Sequence, residues 1–190
     1  MLPTRIRDLK MKKVSLFTKT AKFVSLLIAI IFSTNSYAQE SDFTFKRIGG
    51  GGFTVVFDMA GGYGWGGHGE FAFPVRDRGG LQIISHIIGK GMSVVVNDNR
   101  YGIGSIANKI SFGGFLSPKI RTYGFIQGGI GIGGGNETIA LNLNFGGGGG
   151  MDVFVHRRMS IYFEVGYLQH HLGNKLIGGM SASIGVRSWF

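Results

Sequence analysis

From Phe53 onward the chain alternates, residue by residue, between bulky apolar side chains and small or polar ones. A two-residue rhythm puts the two sets on opposite faces of an extended strand. In the first such run Phe53, Val55, Phe57 and Met59 share a face against Thr54, Val56 and Asp58. The next is cleaner, with Tyr63, Trp65, Phe71, Phe73 and Val75 opposed by Gly64, Gly66, His68, Glu70 and Ala72. After a charged turn at Arg76 to Gly80, a third run covers Leu81 to Val96, where the doublets Ile83-Ile84 and Ile87-Ile88 blur the phase. A bulge near Gly89 or Gly91 is expected to reset the register there.

A fourth run sets Ile106, Ile110, Phe112 and Leu116 against Ala107, Lys109, Ser111 and Gly113. The stretch Ser117-Pro118-Lys119-Ile120-Arg121 reads as a turn, since proline cannot donate to a central ladder. The fifth run, Thr122 to Gly133, has apolar groups in both phases. In the sixth, Ile139, Leu141, Leu143, Phe145, Met151, Val153 and Val155 oppose Asn142, Asn144 and Asp152, around a central glycine tract from Gly146 to Gly150. A basic turn at His156 to Arg158 leads to Ile161, Phe163, Val165 and Tyr167, alternating with Ser160, Tyr162, Glu164 and Gly166. The last run carries Met180, Ala182, Ile184, Val186 and Phe190 against Ser181, Ser183, Gly185 and Arg187.

About eight strands of this kind predict an all-β fold, a closed antiparallel up-and-down transmembrane β-barrel with a greasy exterior. A soluble sheet would have to hide an aromatic face on every strand, whereas lipid covers it and closure satisfies every backbone amide. The small residues of the other face suit the narrow, filled lumen of an eight-stranded barrel. Glycine in such strands permits sharp coiling and close approach of bulky neighbours. The compact connectors at Arg76, Pro118 and His156 are expected on the periplasmic side. Those at Ala60 to Gly62, Asn97 to Gly104, Gly134 to Thr138 and His170 to Lys175 are expected to face outward, and Tyr63, Trp65, Tyr101, Tyr123, Tyr167 and Trp189 to form interfacial girdles.

The N-terminus changes how the charge is read. Lys12, Lys13, Lys19 and Lys22 precede an apolar run from Phe23 to Phe32, and Ser36-Tyr37-Ala38 offers a cleavage site before Gln39. Residues 1–38 are therefore an expected upstream extension and export signal, with translation starting at Met1 or Met11, and 39–190 the barrel domain. That segment holds seven of the 20 Lys and Arg and one of the ten acids, so the formal charge of +10 falls to +4 in the mature chain. The basic balance belongs largely to the export signal, and no nucleic-acid partner is expected. The absence of cysteine excludes disulfides, thiolate chemistry and a lipid-modified N-terminal Cys.

Six charges take the lumen phase, Asp58, Glu70, Lys109, Asp152, Glu164 and Arg187; Lys90 is a further candidate for it, and His68 is nearby in type. A network of hydrogen-bonded ion pairs is the expected arrangement, because a buried charge without a partner is costly. The glycine-rich match Gly102 to Ala107 lacks the strand and helix that a dinucleotide site needs, and Asn97-Asp98-Asn99 lacks calcium-loop spacing and reads as a polar turn. No cofactor and no metal are expected.

The terminal run, with Ile184, Val186 and Phe190 in one phase, resembles the signal read by the outer-membrane barrel-assembly machinery. With the export signal and strand pattern, the mature chain is similar to small barrels of the OmpA, OmpX and OmpW type. That resemblance implies an integral outer-membrane protein, escorted by periplasmic chaperones, surrounded by outer-membrane lipids and monomeric. It implies a non-enzymatic structural or surface-interaction role, or else a narrow conduit for small hydrophobic or ionic solutes. His171-Leu172-Gly173-Asn174 resembles the His-x-Ser-Asn motif of outer-membrane lipid A deacylases, but glycine stands where that family has its serine nucleophile, leaving His171 nothing to activate.

Overall fold

The computed structural model describes residues 46–58, 62–78, 80–135 and 138–190, the side chains of residues 58, 78 and 138 excepted. The predicted export signal lies outside the described residues. Eight strands follow one another: β1 (Ile48–Asp58), β2 (Tyr63–Arg78), β3 (Leu81–Val96), β4 (Asn99–Ser117), β5 (Ile120–Gly135), β6 (Thr138–His156), β7 (Met159–Leu172) and β8 (Lys175–Trp189). Each pairs antiparallel with the next, and β8 pairs with β1 to close the ring. Closure gives every strand two partners, so no open edge remains.

The stagger of this ring sets its width. From Ser105 the paired residues run through Lys90, His68, Gly52, Gly185, Tyr162, Asp152 and Arg121, and return to β4 at Phe115, ten residues along from the start. With a rise of about 3.3 Å per residue and about 4.8 Å between strands, that shear tilts the strands by about 40° and places the wall about 8 Å from the axis. A lumen so narrow is filled by its own side chains.

The outer surface is apolar all the way round: Phe53, Trp65, Ile87, Ile106, Ile130, Leu141, Val165 and Met180, from eight different strands, are all exposed. β5, ambiguous from sequence, directs Arg121, Tyr123, Phe125 and Gln127 inward and Ile126, Ile130 and Ile132 outward.

Several expectations are corrected. β1 begins at Ile48, because Gly49 to Gly52 pair continuously with β2 and β8. The turn after β4 is only Pro118-Lys119, so Ile120 and Arg121 belong to β5. The register runs unbroken through Gly89 and Gly91, and the irregularities fall instead at Pro74/Arg76, Phe115/Ser117 and Phe154/His156. Each lies on a strand about to enter a turn at the end bearing both termini, where the extra residue bends the strand out of the ladder. The connector after β3 shrinks to Asn97-Asp98, both at positive φ (49° and 62°). That pair of left-handed residues is the two-residue hairpin geometry that matches strand twist.

The lumen is layered. Toward the hairpins at the end opposite the termini, Val56, Met92, Val94, Tyr101, Ile103, Leu168, Leu172 and Ile177 form an apolar plug. Toward the termini, Ile48, Ala72, Ile84, Phe154 and Trp189 form a second apolar cluster. Charged and polar groups lie between them.

Candidate functional site

Glycine on the lumen face explains how a bore of this size can hold long charged side chains. Three register rows place a glycine between two large polar residues. In the first, Glu70 and Arg187 flank Gly50, and a Cβ at Gly50 would come within 3.3 Å of Glu70 Oε1 and 3.1 Å of Arg187 Cγ. In the second, Tyr123 and Glu164 flank Gly150, where a Cβ would meet Tyr123 Cζ and Glu164 Cγ at 2.8 and 2.9 Å. In the third, His68 and Tyr162 are separated by Gly52 and Gly185, and the phenol lies flat across both to hydrogen-bond His68 Nε2. In each row the missing side chain is the space in which its neighbours meet.

Arg187 sits at the centre of the network. Its Nε donates to Glu70 Oε1, its Nη1 to Asp152 Oδ1 at 2.7 Å, and its Nη2 to Glu164 Oε1 at 2.7 Å. Nη1 also donates to Tyr123 Oη at 2.6 Å, and that phenol donates to Glu164 Oε1 at 2.9 Å. The guanidinium stacks over the Tyr162 ring, 4.0 Å from its centroid. Lys109 Nζ bridges Glu164 Oε1 (2.7 Å) and Glu70 Oε2 (3.2 Å). Arg121 donates to Asp152 Oδ2 at 3.1 Å and to Gln82 Oε1 at 3.0 Å, beneath the rings of Tyr123 and Trp189. Three carboxylates thus meet three cations, so the network is neutral by formal charge and every member is multiply bonded. Ionised groups can be kept at such depth only under those two conditions.

Neutral groups extend the network on both sides. His86 bridges Glu70 Oε2 (3.1 Å) and Ser111 Oγ (3.0 Å). A carboxylate only accepts, so Nδ1 carries a proton and donates to Glu70, while Nε2 shares a hydrogen bond with the Ser111 hydroxyl. On the other flank, Thr54 Oγ1 joins His68 Nδ1 (3.0 Å) to Ser183 Oγ (2.9 Å). Trp189 Nε1 donates to Ser160 Oγ at 2.9 Å.

Of the six charges singled out in the sequence, Glu70, Lys109, Asp152, Glu164 and Arg187 are brought together here, and the side chain of Asp58 lies outside the described residues. Arg121, His86, Gln82, Tyr123 and Tyr162 belong to the same cluster and were not identified. Arg121 was hidden by the assumed turn around Pro118, and the tyrosines by their aromatic character. Tyr101, Tyr123 and Trp189 are inside the lumen and not on an outer girdle, while Tyr63, Trp65 and Tyr167 face outward. The alternation alone carried the signal for Tyr123 and Trp189, since each shares its phase with an inward arginine two residues away.

The histidine pair divides between faces. His170 points inward, its Nδ1 3.2 Å from Asn142 Oδ1, whereas His171 points outward with its ring centroid 5.3 Å from that of Phe145. Gly173, at φ 58°, turns the chain into β8. No side-chain hydroxyl stands at that position. Ile184, Val186 and Phe190 face outward in one line on and just beyond β8 and are exposed. Beyond the apolar plug, a recess of about 270 Å³ opens between the Asn97-Asp98 hairpin and the start of β8, where Lys175 Nζ donates to Tyr101 Oη at 2.6 Å.

No family model matches the chain, and no curated protein matches it in sequence. Among solved structures it is similar to Neisserial surface protein A (NspA), at TM-score 0.50 and 14% identity over 76% of this chain and 95% of that one. It also matches the N-terminal β-barrel domain of Pseudomonas aeruginosa OprF (TM-score 0.49, 12% identity, 77% of this chain and 100% of that one). A third match is Ail, the attachment invasion locus protein of Yersinia pestis (TM-score 0.45, 14% identity, 76% of this chain and 95% of that one). At these identities the likeness is one of fold. The chain is a closed eight-stranded antiparallel up-and-down barrel, similar in fold to Neisserial surface protein A.

Proposed function

We propose that this is an integral outer-membrane protein with a sealed lumen, whose role is structural and surface-interactive and not catalytic or solute-conducting. One observation carries the reading: the bore is closed at three levels, by the outer apolar plug, by the neutral ion-pair network and by the cluster around Trp189. An ion crossing it would have to shed its hydration water at two apolar constrictions and break bonds to Arg187 on the way. The residues left to meet a partner are those of the outer hairpins, above all Asn97, Asp98, Asn99 and Arg100 and the recess beside Tyr101 and Lys175.

The remaining assignments fit that reading as proposals. Export by the signal at 1–38 delivers the chain to periplasmic chaperones. The barrel-assembly machinery then reads the outward line Ile184, Val186 and Phe190, and the mature monomer is held by outer-membrane lipids around its apolar belt.

Because the chain has no cysteine, single-cysteine labelling is clean. Asp98→Cys and Asn174→Cys should react with a membrane-impermeant maleimide on intact cells, and Lys119→Cys only after the envelope is opened. In planar bilayers the refolded protein should show no discrete conductance. The reverse labelling pattern, or reproducible unitary currents, would overturn the proposal.

A further inference from the structure

The end of the barrel that carries the termini is ringed by cations. Lys46, Arg47, Arg76, Lys119, Arg157 and Arg158 are all exposed there, and among the described residues none of them forms an ion pair. The carboxylate nearest them in sequence, Asp77, accepts from Gln82 Nε2 at 3.1 Å instead. The excess holds over the whole sequence of this end. With Arg78 added, and with Glu40, Asp42, Asp77 and a free carboxyl group at Phe190 all set against them, seven cations still face four acids. At the opposite end, where β1 finishes at Asp58, Arg100 and Lys175 are outnumbered by Asp58, Asp98 and Glu137.

The fold fixes the basic charges at one depth and spreads them around the circumference. All four passages of the chain at this end contribute: the neighbouring termini, the end of β2, and the two-residue turns Pro118-Lys119 and Arg157-Arg158. With one passage for every two strands they stand a quarter-turn apart, about 12 Å on a wall of about 8 Å radius. Main-chain bonds tie them to the neighbouring strands. Lys119 O accepts from Phe154 N at 2.8 Å, Arg158 O accepts from Trp189 N at 2.9 Å, and Arg47 and Phe190 exchange bonds at 2.8 and 3.1 Å. The cations follow directly on the apolar belt, just past the exposed Val75, Leu116 and Val155. Turns this short have no loop to lift their charges clear of the interface, so the ring lies at the depth of the lipid headgroups.

We infer that this ring is a binding surface for anionic phospholipid headgroups, which gather as an annulus around the terminal end; the inference rests on the membrane-spanning reading proposed above. Opposite charge supplies the attraction, and the Lys and Arg side chains supply donors to the phosphates. A docked acidic protein would meet one flank of the barrel, whereas basic groups a quarter-turn apart suit a partner that surrounds it. The opposite mouth, with no cationic excess, makes no such demand on its leaflet. The two rims therefore differ in the lipid they select, and the basic one sets how deep the barrel sits.

The test is the full chain refolded into phosphatidylcholine vesicles containing trace spin-labelled lipid, either phosphatidylglycerol or phosphatidylcholine labelled near the end of one acyl chain. The immobilised fraction of each reports which lipid the barrel holds. One cation beside an anionic headgroup changes its partition by about fivefold at low salt, and diluted over a shell that also covers the other leaflet this becomes an average preference for phosphatidylglycerol of about two- to threefold. In about 1 M salt the preference should fall toward one, because screening then acts within about 3 Å. Combining Arg76→Gln, Lys119→Gln, Arg157→Gln and Arg158→Gln should bring it close to one at low salt, with a mobility shift on heating showing that the barrel still closes. Arg100→Gln with Lys175→Gln should leave it intact. If the fourfold variant does not fold, the salt response of the native chain decides. Equal immobilisation of the two lipids at low salt, a preference undiminished by salt or by the fourfold variant, or its loss in the Arg100 and Lys175 variant would overturn the assignment. Absence of any immobilised lipid would instead remove the spanning barrel itself.

Discussion

Replacing Arg187 by methionine removes the hub of the lumen while keeping most of its volume. Three carboxylates, Glu70, Asp152 and Glu164, then remain with two cations, Lys109 and Arg121, and Tyr123 loses a donor. Deleting one member of a buried ion-pair group leaves an uncompensated charge and costs about 3–5 kcal/mol. Against a typical total stability of roughly 5–15 kcal/mol, that is a large fraction. Urea unfolding of the refolded protein in phospholipid vesicles, followed by tryptophan fluorescence, measures the loss, and a mobility shift on heating shows that the variant still closes. The double variant Arg187→Met with Glu164→Gln restores charge balance, and it should recover about 1–3 kcal/mol relative to additive losses. A single-variant cost below about 1 kcal/mol, or strict additivity of the pair, would refute the view that mutual neutralisation holds these charges in the bore.

Three further outcomes follow from named contacts. Gly185→Val sets new methyl groups against the ring of Tyr162 and the wall of β1, so it should cost about 1–3 kcal/mol or more and reduce the heat-modifiable fraction; native-like stability would contradict the packing described. Lipids brominated on their acyl chains should quench Trp65, which is 55% exposed on the outer face, and spare Trp189 at 1%; equal quenching in the Trp65→Phe and Trp189→Phe variants would reverse the assignment of faces. Truncation of Phe190 to alanine should slow assembly into the outer membrane in cells while leaving spontaneous refolding into detergent nearly unchanged, since that ring is 67% exposed; equal rates of assembly in cells would remove it from the targeting signal.

The alternation of Phe53 to Phe57, Tyr63 to Phe73 and Met180 to Val186 was enough to identify those runs as strands and to say which of their side chains face inward. A period of two is a local property of the chain: it depends only on where successive Cβ atoms point. It also separated His170 from His171 and placed Glu70, Lys109, Asp152, Glu164 and Arg187 on the same side of the wall. Where local pattern and tertiary structure competed, tertiary structure decided. Pro118 made Arg121 look like part of a turn, whereas pairing with β6 draws it into the strand opposite Asp152. The isoleucine doublets invited a bulge at Gly89 that the continuous ladders on both sides of β3 do not contain, because an inward Ile84 or Ile88 packs as well as an outward Ile83 or Ile87.

Which inward residues touch is a different kind of information. It depends on the ten-residue shear of the closed ring, and that is the sum of eight pairings between strands, of which the first with the last is made by residues more than a hundred positions apart. Shear alone puts Gly50 between Glu70 and Arg187, and Gly150 between Tyr123 and Glu164, turning scattered glycines into the floor of a charge network. The chain by itself therefore determined a greasy tube with a charged inside, while closure of the ring decided which charges meet, because contacts across a lumen are set by stagger around the circumference and not by order along the strand.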